Sequence, residues 1–218
     1  MTRGRARRLS PFQIVAGHTA LALVLAGRAL VNALFALWLW NIKPSWSEFF
    51  AGGASYLMMD GVLGVLAAII LSFGVLGEAP VLLTAATGGD GALRILAAVA
   101  LWTFPGLPDF PVTAVAFFAI IGGCAVCLAL VAVTIRIRVW RLRHRAHEST
   151  PLAMHEELDP VFLAGIVAVV LVGYAFFAGP PVTAADYRLL GIRWASALAI
   201  AFAIAAFGVK APAHPRRD

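Results

Sequence analysis

Long apolar runs, separated by short polar or proline-containing stretches, dominate the chain. Six of these runs are long enough to cross a hydrocarbon layer of about 30 Å, which takes roughly 20 helical residues. They lie at residues 14–40, 49–76, 81–104, 110–135, 161–178 and 189–209. Because the runs are uniformly apolar and lack the alternating polarity of a membrane β-barrel, the pattern predicts six transmembrane helices. The third run contains GGDG, which leaves open whether its helix begins near residue 81 or near residue 91.

The runs also form three similar pairs, in which one helix leads through a proline-marked turn into a second helix rich in small residues. Pro44, Pro105 and Pro180 mark these turns, since proline cannot continue a helix. The predicted fold class is therefore an all-α integral membrane protein with six transmembrane helices arranged as three repeated helical hairpins. Its parts are a basic N-terminus (1–13), two hairpins (14–135), a basic linker (136–160), a third hairpin (161–209) and a tail (210–218).

Composition excludes an ordinary soluble domain. Hydrophobic residues make up 61% of the chain and charged residues only 13%, whereas a soluble domain carries about a quarter charged residues. The arginines concentrate in the N-terminus, the linker and the tail, which six spans would place on one side of the membrane. The positive-inside rule makes that side cytoplasmic. The chain is thus predicted to cross a membrane several times, with both termini in the cytoplasm.

The net charge of +6 has a membrane explanation and does not require nucleic acid. Arginines that flank membrane spans interact with anionic lipid headgroups, each contributing about 1 kcal/mol. The predicted partner is therefore the lipid bilayer. The residues predicted to contact headgroups are Arg136, Arg138, Trp140, Arg141, Arg143 and Arg145.

Two stretches carry a family resemblance. The first is DGVLGVLAAI, which follows the turn at Pro44, and the second is GALRILAAVALWTFPGL. Residues 28–138 resemble the HdeD family of small bacterial inner-membrane proteins with short hydrophobic repeats. The resemblance implies six spans and a structural or stress-response role in acid resistance, and it supplies no catalytic residues.

Asp60 lies inside the second apolar run, where an ionised carboxylate is expensive unless it is paired or hydrated. Arg28 lies 16 residues before Pro44, and Asp60 lies 16 residues after it. Equal distances from the turn give the two side chains similar depths, so they are predicted to meet. Asn32, one helical turn from Arg28, is predicted to join them.

Three further charged residues, Asp90, Arg94 and Arg193, form a secondary set. Arg94 lies 11 residues before Pro105, and we expect Arg94 and Arg193 nearer the outer surface. Asp90 precedes Arg94 by four residues, which gives Arg94 a partner on its own helix if that segment is helical. Arg193 is expected to extend its side chain toward the surface.

The remaining chemistry is sparse. Cys124 and Cys127 form a C-x-x-C pattern but lie within an apolar run without basic neighbours, which favours packing over redox chemistry. Zinc could bind the linker residues His144, His147 and His155 with the nearby carboxylates, but their order matches no metalloprotease motif, which favours a solvated loop. We therefore predict no catalytic residue, metal or cofactor, and no enzyme.

Two functions remain open. The first is a structural or stress-response protein of the HdeD type, or an accessory subunit of a membrane complex. The second is a small transporter or channel for protons or an anion, using the buried charges. Alanines 197, 201 and 205 form a row of small residues that suits either packing within one bundle or the interface of a homo-oligomer.

Overall fold

The computed structural model describes residues 10–73, 81–103, 114, 116–123 and 183–209. Four long helices make up most of these ranges: α1 (Pro11–Ile42), α2 (Trp46–Ser72), α3 (Val81–Thr103) and α4 (Ala184–Gly208). A short helical segment occupies 116–123, and no strand occurs in the described ranges. All four long helices are long and apolar enough to cross a membrane. The all-helical class and the membrane location are therefore confirmed.

The prediction of six transmembrane helices in three hairpins is wrong. The part of the chain that the structure describes contains five helices, and only four of them have the length and composition of a span. Of the fourth predicted span, 110–135, the structure describes residue 114 and residues 116–123, and these are helical. The predicted span at 161–178 lies outside the described residues, as do the linker and the tail.

The pairing of the helices also differs from the predicted hairpins. The most extensive packing joins α2 to α3, followed by α1 to α4, and the sequential pair α1 and α2 packs less extensively. The reason lies in two glycines at the crossing of α2 and α3. A Cβ atom on Gly61 would lie 2.8 Å from the Gly91 carbonyl oxygen, and one on Gly91 would lie 2.7 Å from the Gly61 carbonyl oxygen. Only glycine at both positions lets the two backbones approach this closely.

The GGDG stretch does not interrupt α3, which is helical from Val81 onward. In a helix interior, glycine is less favourable than alanine by about 1 kcal/mol. Here tertiary packing overrides that preference, because Gly91 lies against the backbone of α2. A Cβ atom on Gly91 would lie only 2.7 Å from the Val65 nitrogen.

The ends of α1 and α2 follow from local sequence. Ser10 caps α1 by accepting a hydrogen bond from the Gln13 N–H at 3.2 Å. The helix ends at Ile42, and its C-cap residue, Lys43, has a φ of 48° in the left-handed region. The Ser45 N–H donates to Glu48 Oε2 at 2.8 Å as α2 begins. The predicted turn at Pro44 is thus present; the other two predicted turn prolines lie outside the described residues.

Two groups of contacts define the ends of the bundle. At the end that contains the α1–α2 turn, called here the turn end, Arg188 Nη1 donates to the Lys43 carbonyl oxygen at 3.2 Å. At the opposite end, Leu21 of α1 and Leu71 of α2 pack with Val209, which follows α4. The chain therefore enters α1 and leaves α4 at the same end of the bundle.

The row of alanines on α4 faces the interior of the molecule. Ala197, Ala201 and Ala205 are buried, and the last two pack against Leu25 of α1. Their small side chains bring α4 close to α1, so the row serves packing within one bundle.

Candidate functional site

Four charged side chains meet in the centre of the bundle and are called here the ionic quartet. They are Arg28 of α1, Asp60 of α2, and Asp90 and Arg94 of α3. Their exposed fractions range from 0 to 3%. Arg28 and Asp60 lie at equal distances from the turn at Pro44, and Asp90 and Arg94 lie one helical turn apart on the face of α3 that meets α2. Three helices therefore contribute to one buried group of charges.

The first half of the quartet is a two-pronged pair between α1 and α2. Arg28 Nε donates to Asp60 Oδ1 at 2.8 Å, and Arg28 Nη2 donates to Asp60 Oδ2 at 2.8 Å. Such parallel charge-assisted hydrogen bonds are among the strongest that side chains form. The pair fixes the angle of the guanidinium as well as its position.

Asn32 and Tyr56 support this pair. Asn32 Nδ2 donates to the Arg28 carbonyl oxygen at 2.8 Å and, less directly, to Asp60 Oδ1 at 3.3 Å. The Tyr56 hydroxyl donates to Asn32 Oδ1 at 2.7 Å, which fixes the orientation of the amide. The hydrogen-bonded chain from Tyr56 through Asn32 to Asp60 therefore joins α1 and α2 a second time.

The second half of the quartet belongs to α3. Arg94 Nε donates to Asp90 Oδ1 at 2.7 Å, within one turn of the helix. Two contacts join this pair to the first one. Arg28 Nη2 donates to Asp90 Oδ2 at 2.9 Å, and Arg94 Nη1 lies 2.9 Å from Asp60 Oδ2. The contact between Arg94 Nη1 and Asp60 is an ion pair without the geometry of a hydrogen bond. Neither Nη1 nor Nη2 of Arg94 has a hydrogen-bond partner among the described residues.

The charges of the quartet balance. Two guanidiniums face two carboxylates, and each carboxylate contacts both guanidiniums. A lone charge in the bilayer interior is expensive, and pairing within a neutral group removes most of that penalty. All four carboxylate oxygens accept a hydrogen bond from a guanidinium of the quartet.

Aromatic and apolar groups close the site. The Phe202 ring of α4 lies 4.2 Å from Cζ of Arg28, and the Phe35 ring stacks on Tyr56 with centroids 4.2 Å apart. Phe202 brings the fourth long helix to the quartet through a cation–π contact. On the sides of the site that the described residues form, these groups exclude water from the four charges.

The structure brings Arg28, Asn32 and Asp60 together, in the grouping expected from their spacing around the turn. Asp90 and Arg94 join the same cluster, although the sequence predicts Arg94 nearer the outer surface. That prediction counted residues from Pro105, which lies outside the described residues. The direct contact between Arg94 and Asp60 shows that their charged groups lie at one depth.

Arg193 is not part of the quartet, and its side chain is exposed on α4. Sequence reasoning missed Tyr56 and Phe202. Tyr56 precedes Asp60 by one helical turn, and that spacing was a usable signal. Nothing in the sequence marks Phe202, because its position depends on how α4 packs.

Several residues of interest lie outside the described part of the chain. They are Cys124, Cys127, the linker histidines, and the six residues predicted to contact headgroups: Arg136, Arg138, Trp140, Arg141, Arg143 and Arg145.

In comparisons with protein-family models, curated proteins and solved structures, none matches this chain. The resemblance to the HdeD family therefore stays a prediction from the sequence.

Proposed function

We propose that this chain is a structural or stress-response protein of the bacterial inner membrane, of the HdeD type, or an accessory subunit of a larger membrane complex. The ionic quartet serves as a clip that holds α1, α2 and α3 in one arrangement. One observation carries the proposal: each of the four carboxylate oxygens already binds a guanidinium of the same cluster. Because its carboxylate oxygens already accept hydrogen bonds, the quartet stabilises the packing of the three helices and has few acceptor sites left for a substrate.

The surroundings of the quartet favour a clip over a transport path. A path needs polar groups from the centre of the membrane to both surfaces. Toward the turn end, the Phe35 ring covers Tyr56 and packs in turn against Phe49. Toward the other end, Leu21 and Leu71 belong to an apolar cluster. Aromatic groups thus bound the polar network toward the turn end, and toward the other end the described residues place two buried polar side chains, Thr87 and His18, beside the apolar cluster.

The second candidate function is a small transporter or channel for protons or an anion. It is favoured by Nη2 of Arg94, a buried donor with no hydrogen-bond partner among the described residues. The balance of charge argues against an anion, because Asp60 and Asp90 neutralise Arg28 and Arg94. We therefore rank this function second.

For the orientation, we propose that both termini face the cytoplasm. The basic segments at 1–13, 136–160 and 210–218 support this orientation through the positive-inside rule. Anionic lipid headgroups are the partner proposed for these segments.

Acid survival tests the stress-response role. A bacterial strain that lacks the gene is exposed to acid medium, and survival is compared with that of the parent and of strains complemented with variants. We expect lower survival without the gene, restored by the wild type and by the neutral double variant Arg28→Gln/Asp60→Asn when equal amounts of folded protein are present. Equal survival of the deletion strain and its parent would contradict the role in acid resistance. A fully folded but inactive Asp60→Asn variant would contradict the clip and support transport.

A further inference from the structure

Arg193 is an unusual residue for the outside of a membrane-spanning helix. Its side chain is exposed, and no described residue forms an ion pair or a hydrogen bond with it. Leu189, one turn earlier, is 41% exposed, and Ile200, two turns later, is 50% exposed. The described residues therefore leave this face of α4 uncovered, as in a helix face directed toward lipid. A charged side chain that stayed there would oppose insertion by about 3 kcal/mol at the bilayer centre, so the guanidinium needs a polar partner.

The depth of Arg193 can be measured from the capping groups at the turn end. Thr183 Oγ1 donates to Asp186 Oδ2 at 2.8 Å at the start of α4, and such polar caps belong at the membrane surface. Arg193 follows Asp186 by seven positions in the sequence. At 1.5 Å per residue, its Cα lies about 10 Å deeper. An extended arginine side chain spans about 7 Å, so its guanidinium ends about 3 Å from the level of Asp186. That distance is the length of a hydrogen bond.

The direction of α4 helps the side chain to reach that surface. In an α-helix each Cα–Cβ bond tilts toward the helix N-terminus. Because α4 begins at the turn end, the side chain of Arg193 starts out toward that surface and lies over the preceding turn. Leu189 occupies that turn on the same face and offers apolar surface for the methylene groups of the arginine.

We propose that Arg193 binds the phosphate of a phospholipid headgroup in the leaflet at the turn end. The planar guanidinium presents two parallel N–H groups that match two phosphate oxygens. The depth and direction of the side chain bring it to the level where those phosphates lie. This site is separate from the ionic quartet and does not depend on the proposed function.

A carboxylate from a second copy of the chain is the competing partner. The exposed acidic residues of the described ranges are Glu48 and Asp186, and both cap helix starts at the surface. Asp60 and Asp90 are buried in the quartet. The carboxylates at the surface level that the guanidinium reaches, Glu48 and Asp186, already accept hydrogen bonds in helix caps, which favours the phosphate.

Lipid binding to the purified protein in detergent tests the proposal. The probes are phosphatidylglycerol and diacylglycerol, which share acyl chains but differ in the phosphate, and retained lipid is counted by native mass spectrometry. We expect Arg193→Leu to bind phosphatidylglycerol about fivefold more weakly than the wild type, as expected for one cation near a headgroup, and diacylglycerol equally. Arg193→Lys should keep only part of the binding, because lysine also extends toward the surface but cannot present two parallel N–H groups to the phosphate.

Moving the charge along the same face supplies a matched control. In the Arg193→Leu background, Leu189→Arg places the cation one turn nearer the surface and should restore binding of phosphatidylglycerol. Ile200→Arg places it about 10 Å deeper than Arg193 and should not restore it. Unchanged phosphatidylglycerol binding by Arg193→Leu would overturn the proposal. Loss of a co-purifying protein or of self-association, with lipid binding intact, would instead assign Arg193 to a protein carboxylate.

Discussion

Breaking the pair between α1 and α2 should reveal how the ionic quartet stabilises the fold. Arg28→Gln leaves the quartet with one excess negative charge, and Asp60→Asn leaves it with one excess positive charge. Making both changes leaves Asp90 and Arg94, which pair with each other at 2.7 Å. The double variant therefore keeps a neutral centre, whereas each single variant does not.

The magnitudes follow from the contacts. Removing one partner of a buried ion pair lowers the free energy of unfolding by about 3–5 kcal/mol. Arg28→Gln should lie at the lower end of this range, because Arg94 Nη1 remains 2.9 Å from Asp60. We expect the double variant to be more stable than the sum of the single effects by about 0.5–3 kcal/mol, the range for residues in one network.

A second double variant ranks the contacts of Arg28. This guanidinium makes two hydrogen bonds to Asp60 and one to Asp90. The coupling energy between Arg28 and Asp60 should therefore exceed the coupling energy between Arg28 and Asp90. Arg28→Gln combined with Asp90→Asn supplies that comparison.

Reversible unfolding in mixed detergent micelles, followed by circular dichroism, measures these free energies. Ser55→Ala is a suitable control on α2, because the exposed Ser55 hydroxyl only donates to Ala51 of its own helix; it should change stability by less than about 0.5 kcal/mol. Additive effects of Arg28→Gln and Asp60→Asn would refute the reasoning, as would a stronger coupling of Arg28 to Asp90.

Three further predictions concern packing, the polar network and topology. Gly91→Ala should destabilise the protein by about 1–3 kcal/mol through overpacking against α2, whereas Gly89→Ala, whose Cβ would meet nothing within 4 Å, should be neutral or slightly stabilising in the same unfolding assay. Tyr56→Phe should lower the free energy of unfolding by about 1–3 kcal/mol, because Asn32 Oδ1 loses its donor while the ring is kept; no loss would show that the hydroxyl is dispensable. In intact cells, Ser47→Cys should react with a membrane-impermeant thiol reagent and Thr2→Cys should not, and the reverse labelling would overturn the proposed orientation.

The pairing of Arg28 with Asp60 was accessible from the sequence because it depends on counting from one turn. Pro44 fixes the turn, and helices that leave a short turn run side by side, so equal counts give similar depths. Asn32 follows from the periodicity of α1 alone. Local geometry was sufficient for both.

The contribution of α3 was not accessible in the same way. Its depth and its close approach to α2 depend on Gly61 and Gly91 meeting at a crossing, which is a property of two helices together. The GGDG stretch favoured an interruption by local propensity, and tertiary packing overrode it. The described residues contain four helices of spanning length, and most of the fourth predicted span and all of the fifth lie outside them.

Flux across the membrane of liposomes that contain the purified protein tests the clip most directly. Proton and chloride flux are measured for the wild type, for Asp60→Asn and for protein-free liposomes, with the amount of folded protein matched. Because every carboxylate oxygen of the quartet is engaged, we expect the same flux in all three preparations. Wild-type flux well above that of protein-free liposomes, abolished in a folded Asp60→Asn variant, would contradict the structural role of the quartet.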